Sequence, residues 1–174
     1  SLFFYAIRLA SEKAEGPNLN CKHCAFLSRG EKYAVASDHR TCSHIGLNIL
    51  KMEGNAVDSA VATALCIGVM NSFSSGIGGG AIMLVSEPNH GKTPGKIHVI
   101  DSREKAPRKA YQEMFVDKIE DAIIGGKSIG VPGEILGLYR AWQRFGKLPW
   151  RYLVEPSVEL AESHQVNSLV ARCE

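Results

Sequence analysis

An α+β layered fold is what this sequence predicts, on three observations. Helix-forming stretches lie toward both ends of its globular part, two strand candidates joined by a polar loop sit between them, and the most apolar stretch is an alanine-rich helix suited only to burial between layers. A parallel βαβ arrangement would need helices alternating with strands, and they do not alternate here.

The elements follow in order. Residues 11–32 are polar, carry Gly and Pro, and show no period, so residues 1–32 read as a lead-in and residues 33–174 as the folded part. Residues 33–37 (YAVAS) are a short strand candidate. Over residues 41–52, Ile45, Leu47, Ile49 and Leu50 recur among polar neighbours, which predicts an amphipathic helix capped by Thr41 or Ser43 and ended by Gly54. Asn55 then caps a second helix, 56–70, with Asp58 favouring the positive end of its dipole. Only Lys51, Glu53 and Asp58 are charged between residues 41 and 85, so the core belongs there. A glycine run, 76–80, leads into a strand at 81–85; a loop with two Pro and two Gly separates it from a second strand at 97–101, and the pair reads as an antiparallel hairpin. Residues 127–131 are a further strand candidate stopped by Pro132. Ile135, Leu136, Tyr139 and Trp142 recur at helical spacing up to Gly146, and residues 156–163 are a last helix, with the chain stopping in another helical segment.

Composition excludes several classes. Among 174 residues, 45% hydrophobic and 22% charged suits a globular chain, and a net charge of +2 gives no one-signed field for nucleic acid. The first 32 residues hold five basic and three acidic side chains; the remainder is neutral, with fifteen of each. No apolar run approaches the ~20 residues needed to span a bilayer. The opening Ser1, in place of Met, marks the chain as a fragment or a processed product. Of five cysteines, Cys21 and Cys24 form a Cys-x-x-Cys element, but no second pair follows, which favours a redox pair or two solvent-facing thiols over zinc. The six histidines form no ligand pattern, and His98, alternating with apolar neighbours, reads as half-exposed.

Two stretches invite a chemical reading. The glycine run GIGGG (76–80) has no Lys-Ser/Thr ending and precedes a strand, so it lacks the helix N-terminus a phosphate cradle needs; bare glycine backbone instead lets a neighbour approach closely. In DSREKAP (101–107), a strand end delivers Arg103 into a loop, where a guanidinium could grip a planar carboxylate, although such a charged turn is more commonly just solvated.

Six stretches in series resemble the gamma-glutamyltransferase (glutathione hydrolase) family: AVASD (34–38), GNAVDSA (54–60), MNS (70–72) leading to GIGGG (76–80), DSREKAP (101–107), VPGE (131–134) and GKLPW (146–150), the last running on to Pro156 and Ser157. The resemblance spans residues 33–161. It implies an N-terminal nucleophile hydrolase fold, a four-layer αββα sandwich, of which this chain resembles the N-terminal portion of the large subunit. The precursor cuts itself, and the new N-terminal Thr of the small subunit is both nucleophile and, through its amine, its own base. It attacks the γ-amide carbonyl of glutathione or another γ-glutamyl compound, and the acyl group passes to water or to an acceptor amino acid or dipeptide. No metal or organic cofactor is implied. The nucleophile is expected outside this chain, since Thr41, Thr63 and Thr93 do not match its motif.

By this resemblance Arg103 holds the α-carboxylate of the γ-glutamyl group and Glu104 orients its loop. Animal-type members join two helices by a disulfide where Cys42 and Cys66 stand here. A loop of about 24 residues closed in this way is worth ~3 kcal/mol. The disulfide implies the secretory pathway, at the outer face of the plasma membrane or at a vacuolar membrane, and residues 2–7 read as the remnant of an upstream membrane anchor. The Cys21/Cys24 element departs from the family pattern. The rival readings are a β-lactam (cephalosporin) acylase of the same superfamily and a non-catalytic homologue.

Overall fold

The computed structural model describes residues 32–89 and 94–163. The lead-in up to residue 31, with Cys21, Cys24 and the apolar opening, lies outside the described residues, as does the tail after residue 163.

Helix α1 (Arg40–Lys51) starts one residue earlier than the sequence predicts. Its cap is His39, whose Nδ1 accepts from the Thr41 N–H at 3.2 Å, so neither Thr41 nor Ser43 serves. A neutral imidazole nitrogen can accept this bond as a hydroxyl would, outside the usual capping set. At the other end Glu53 takes the left-handed conformation (φ 64°), with Glu53 N–H donating to Leu50 O and Gly54 N–H to Ile49 O. That is a Schellman ending with Glu53 in the position glycine usually holds. Gly54 remains necessary, because a Cβ there would lie 2.8 Å from the Ile49 carbonyl.

Helix α2 (Ala56–Met70) has the predicted bounds and cap. The Asn55 side chain accepts from the N–H groups of Val57 and Asp58 while the Asp58 carboxylate accepts from the Asn55 N–H, a reciprocal capping box. Its apolar circumference is buried nearly all round, with Val61, Ala62, Cys66 and Ile67 inaccessible. It lies against α1 on one side and, on others, α3 (Glu134–Phe145) and α4 (Trp150–Ser163). A disulfide joins Cys42 of α1 to Cys66 of α2, with Cα atoms 5.3 Å apart.

Strands β1 (Ala81–Glu87) and β2 (Lys96–Ser102) form the expected antiparallel hairpin, in register Met83↔Ile100, each slightly longer than the sequence predicts. Met83, Val85 and Ile100 point to the helices and join the core of Val61, Leu65, Leu138 and Leu153. The other face presents Ile82, Leu84, Ile97 and Val99, all exposed. His98 is on the helix side, where Glu87, Arg144 and the Phe145 ring surround it, leaving its side chain more covered than the expected half-exposure.

Three expectations are corrected. Residues 33–37 are extended but form no strand among the described residues, because nothing pairs with their backbone; Val35 instead packs toward Gly46 of α1. Residues 127–131 contribute only an isolated bridge, Val131 to Lys105, in a stretch of turns with one 3₁₀ turn at Ile119–Ala122. The last helix begins at Trp150, six residues before Pro156, which lies inside it. A proline there forfeits the single bond its N–H would make one turn back, a loss the helix absorbs where its face is packed on α2. Helix α3 ends at Gly146, as predicted.

Candidate functional site

Three of the resembling stretches converge at one end of the hairpin. Chain leaving α2 turns through residues 71–75 into the glycine run, where Gly79 N–H donates to Gly76 O at 2.9 Å and closes a tight turn. Gly80 then enters β1 pressed against the end of β2. A Cβ at Gly80 would stand 2.5 Å from Ser102 O and 2.8 Å from the Arg103 Cα, both backbone atoms that cannot give way. Glycine is required there for close approach rather than for a phosphate. The third stretch is Val131–Glu134. The Gly133 and Glu134 N–H groups both donate to Gly79 O, at 2.9 and 3.1 Å, and a Cβ at Gly133 would overlap Ser102 O.

Arg103 is the first residue past β2. Its N–H donates to the Asp101 carboxylate at 3.0 Å, which fixes the backbone as it leaves the strand. The Ser102 hydroxyl donates to Ala81 O at 2.8 Å and locks the strand end to β1. The guanidinium is 61% exposed and pairs through Nε with Glu104 Oε2 at 3.3 Å; Glu104 is 30% exposed. Lys105 is then tied to Val131 by two backbone bonds, so the Arg103–Glu104 dipeptide is held at both ends. The structure therefore brings the two sequence-predicted site residues together on a fixed backbone, with the guanidinium open to solvent.

Sequence reasoning missed Glu134. It is the first residue of α3, a position where an acidic side chain ordinarily complements the dipole in solvent, yet it is only 5% exposed. Its carboxyl accepts from the Gly76 N–H, and Glu104 lies close enough to act on it electrostatically. Burial pushes the Glu134 carboxyl up to about 7; the Gly76 bond opposes that rise and the Glu104 charge adds to it. The signal in the sequence was the stretch VPGE itself, which carried the resemblance without disclosing that its acid is buried.

Other candidates sit apart. Thr63 is buried in α2 and donates to Ser59 O at 2.8 Å, and Thr41 lies in the first turn of α1; Thr93 lies outside the described residues. Among the described residues no group of three or more His, Cys, Asp or Glu is placed to hold a metal ion, and no helix is long and apolar enough to cross a membrane. A groove of about 570 Å³ between α1 and α4, lined by Ile45, Met52, Tyr152 and Leu160 among others, contains none of the predicted site residues.

Comparison with known proteins identifies the family. The sequence profile of the family described as gamma-glutamyltranspeptidase matches residues 42–173. Glutathione hydrolase proenzyme 1 of Schizosaccharomyces pombe is 49% identical over 131 residues, which is 75% of this chain and 20% of that protein. Gamma-glutamyltranspeptidase from Pseudomonas nitroreducens, solved with L-DON, superposes with a TM-score of 0.72 at 35% identity over 85% of this chain and 43% of that one. Cephalosporin acylase from Bacillus halodurans also superposes, with a TM-score of 0.63 at 26% identity over 90% of this chain and 30% of that one. The α+β class and its N-terminal nucleophile hydrolase layering thus stand, and the chain spans about a fifth of the length of the S. pombe protein. The profile, the relatives and the shared architecture make this chain a member of the gamma-glutamyltranspeptidase family.

Proposed function

We propose that this chain supplies the donor-binding portion of a gamma-glutamyltransferase/glutathione hydrolase, in which Arg103 holds the α-carboxylate of the γ-glutamyl group. The observation that carries the reading is the fixed presentation of Arg103: a strand end locked by Ser102 and Asp101, followed by a bridge at Lys105, with the guanidinium accessible. A planar guanidinium offers two parallel N–H bonds to a carboxylate, and its pair with Glu104 turns the ring of donors in a set direction. Glu104 orients it and touches no substrate in this account.

In this reading the reaction is acyl transfer. A Thr supplied by sequence beyond the chain's own threonines attacks the γ-amide carbonyl of glutathione or a related compound, expelling the amine. Water or the amine of an acceptor amino acid or dipeptide then releases the γ-glutamyl group. Thr63, buried and committed to Ser59 O, is unsuited to that role. The bare apolar face of the hairpin is suited to a second sheet layer, which supports a partner subunit cut from the same precursor. The Cys42–Cys66 disulfide supports an oxidising compartment, hence the secretory pathway and the outer face of the plasma membrane or a vacuolar membrane.

The test is Arg103→Lys in the complete protein, assayed with γ-glutamyl-p-nitroanilide and with a glutaryl β-lactam. The donor KM should rise by about tenfold, since lysine keeps the charge but cannot make the two parallel N–H bonds to a carboxylate. Donor saturation like that of the wild type would refute the assignment, and turnover of the β-lactam alone would transfer the chain to the acylases.

A further inference from the structure

We propose that Glu134 is a positioning residue for the donor site: from the first turn of α3 it grips the glycine turn at both ends and so fixes the surface on which Arg103 and Glu104 rest. This rests on the donor-site reading above. The backbone of Glu134 donates to Gly79 O while its carboxyl accepts from the Gly76 N–H, so one residue holds the first and last members of a turn that Gly79 N–H to Gly76 O closes. Solvated acids at a helix start do neither.

The glycine turn is also the wall between two acids. A Cβ built on Gly79 would lie 3.5 Å from Glu104 Oε1 and 3.9 Å from Glu134 Oε2, so only bare backbone separates the two carboxyls there. Beyond Glu104 stands the Arg103 guanidinium. The groups facing Glu134 are therefore Glu104, with Arg103 behind it, from the segment after β2; residues 76–80 bring no ionisable side chain. Two ionised carboxylates at this spacing would repel and turn Glu104 from its arginine. A Glu134 that keeps its proton near neutrality leaves the charge of Glu104 to Arg103 while still accepting from Gly76. The side chain touches no substrate; it acts through the turn and through Glu104.

The experiment uses the complete protein with Glu134→Ala and Glu134→Gln, read in two ways. First, donor KM and kcat are measured for γ-glutamyl-p-nitroanilide from about pH 6 to about pH 8.5, a range that brackets the group's titration. Glu134→Ala should raise donor KM by about tenfold with kcat changed by less than about threefold, as for a lost hydrogen bond to a buried polar group. Glu134→Gln keeps an acceptor for Gly76 and carries no charge, so it should hold KM near the wild-type value and abolish its inflection near neutral pH. Second, glycine-labelled protein is followed by NMR. The Gly76 and Gly79 amide signals should titrate with a midpoint of about 7 in the wild type and stay flat in Glu134→Gln. Wild-type KM in Glu134→Ala, or Gly76 and Gly79 signals that titrate unchanged in Glu134→Gln, would overturn the proposal. If Glu134→Ala does not fold, the glutamine variant decides by both readouts. A wild-type protein without γ-glutamyl activity would defeat the functional reading, and the amide titration would still decide the grip.

Discussion

Asp58 is fully buried, and its carboxylate organises a joint between α2 and the loop that links α3 to α4. Oδ2 accepts from the N–H groups of Asn55 (3.0 Å), Lys147 (3.1 Å) and Leu148 (3.1 Å), and Oδ1 accepts from Lys147 as well (3.1 Å). Asp58→Ala removes one acceptor from three backbone donors. An unmet buried donor costs about 1–3 kcal/mol, and partial rehydration of the loop brings the expected sum to about 3–5 kcal/mol. Asp58→Asn retains one oxygen but must turn an N–H₂ toward donors, so roughly half of that loss is expected. Both tryptophans flank this joint: the Trp142 Nε1–H donates to Leu148 O at 2.7 Å, and the Trp142 and Trp150 rings are 5.5 Å apart. Urea unfolding followed by tryptophan fluorescence therefore reads the joint directly. With a slope of about 2 kcal/mol/M, Asp58→Ala should lower the midpoint by roughly 2 M. A loss below about 1 kcal/mol would mean that the donors find water freely, and the carboxylate would then be no anchor.

Two further outcomes follow from the same physics. Replacing Cys42 and Cys66 together by Ser, or reducing the disulfide, should lower unfolding stability by about 3 kcal/mol through the freed loop, measurable as a midpoint shift on adding reductant; an unchanged midpoint would show that the crosslink constrains nothing. Glu134 has a folded pKa of about 7 against an ordinary 4.5, so the folded state holds its proton longer than the unfolded one. Stability should then fall as pH rises from about 4.5 to about 7, by about 3 kcal/mol in all, and Glu134→Gln should flatten that slope in a pH series of unfolding midpoints.

What the sequence made legible were features that local chemistry decides. Asn55 with Asp58 three residues on is a complete cap, and it places the start of α2 to the residue. Two short apolar runs, 81–85 and 97–101, separated by a loop with two Pro and two Gly, made the hairpin readable. Where a tertiary partner decides, the reading failed. Residues 33–37 have strand-like chemistry but no adjacent ladder among the described residues, and residues 127–131 reach only one bridge, because Lys105 offers a single opposite position before the chain turns away. The last helix, expected over residues 156–163, starts six residues earlier. Packing of α4 on α2 outweighs one absent hydrogen bond, and the helix simply runs through Pro156. The site divides in the same way. Arg103 at a strand end was visible as a residue in a loop, whereas the burial of Glu134 depends on a contact with residues 76–80, more than fifty positions away in the chain.

The exposure of Arg103 is itself informative when set against magnitude. A surface arginine–carboxylate pair contributes about 0–1 kcal/mol, so the 3.3 Å contact with Glu104 does little for folding. Three separate backbone devices nonetheless hold this dipeptide: the Asp101 acceptor, the Ser102 lock and the Lys105–Val131 bridge. Rigidity beyond what a weak pair needs is wasted on stability, but it lowers the ordering entropy a carboxylate ligand must otherwise overcome on binding. The same reasoning explains the tight glycine packing behind it. Close backbone approach at Gly80 and Gly133 leaves the segment no room to relax, so under the proposed donor role a carboxylate would meet an arginine whose backbone is already fixed.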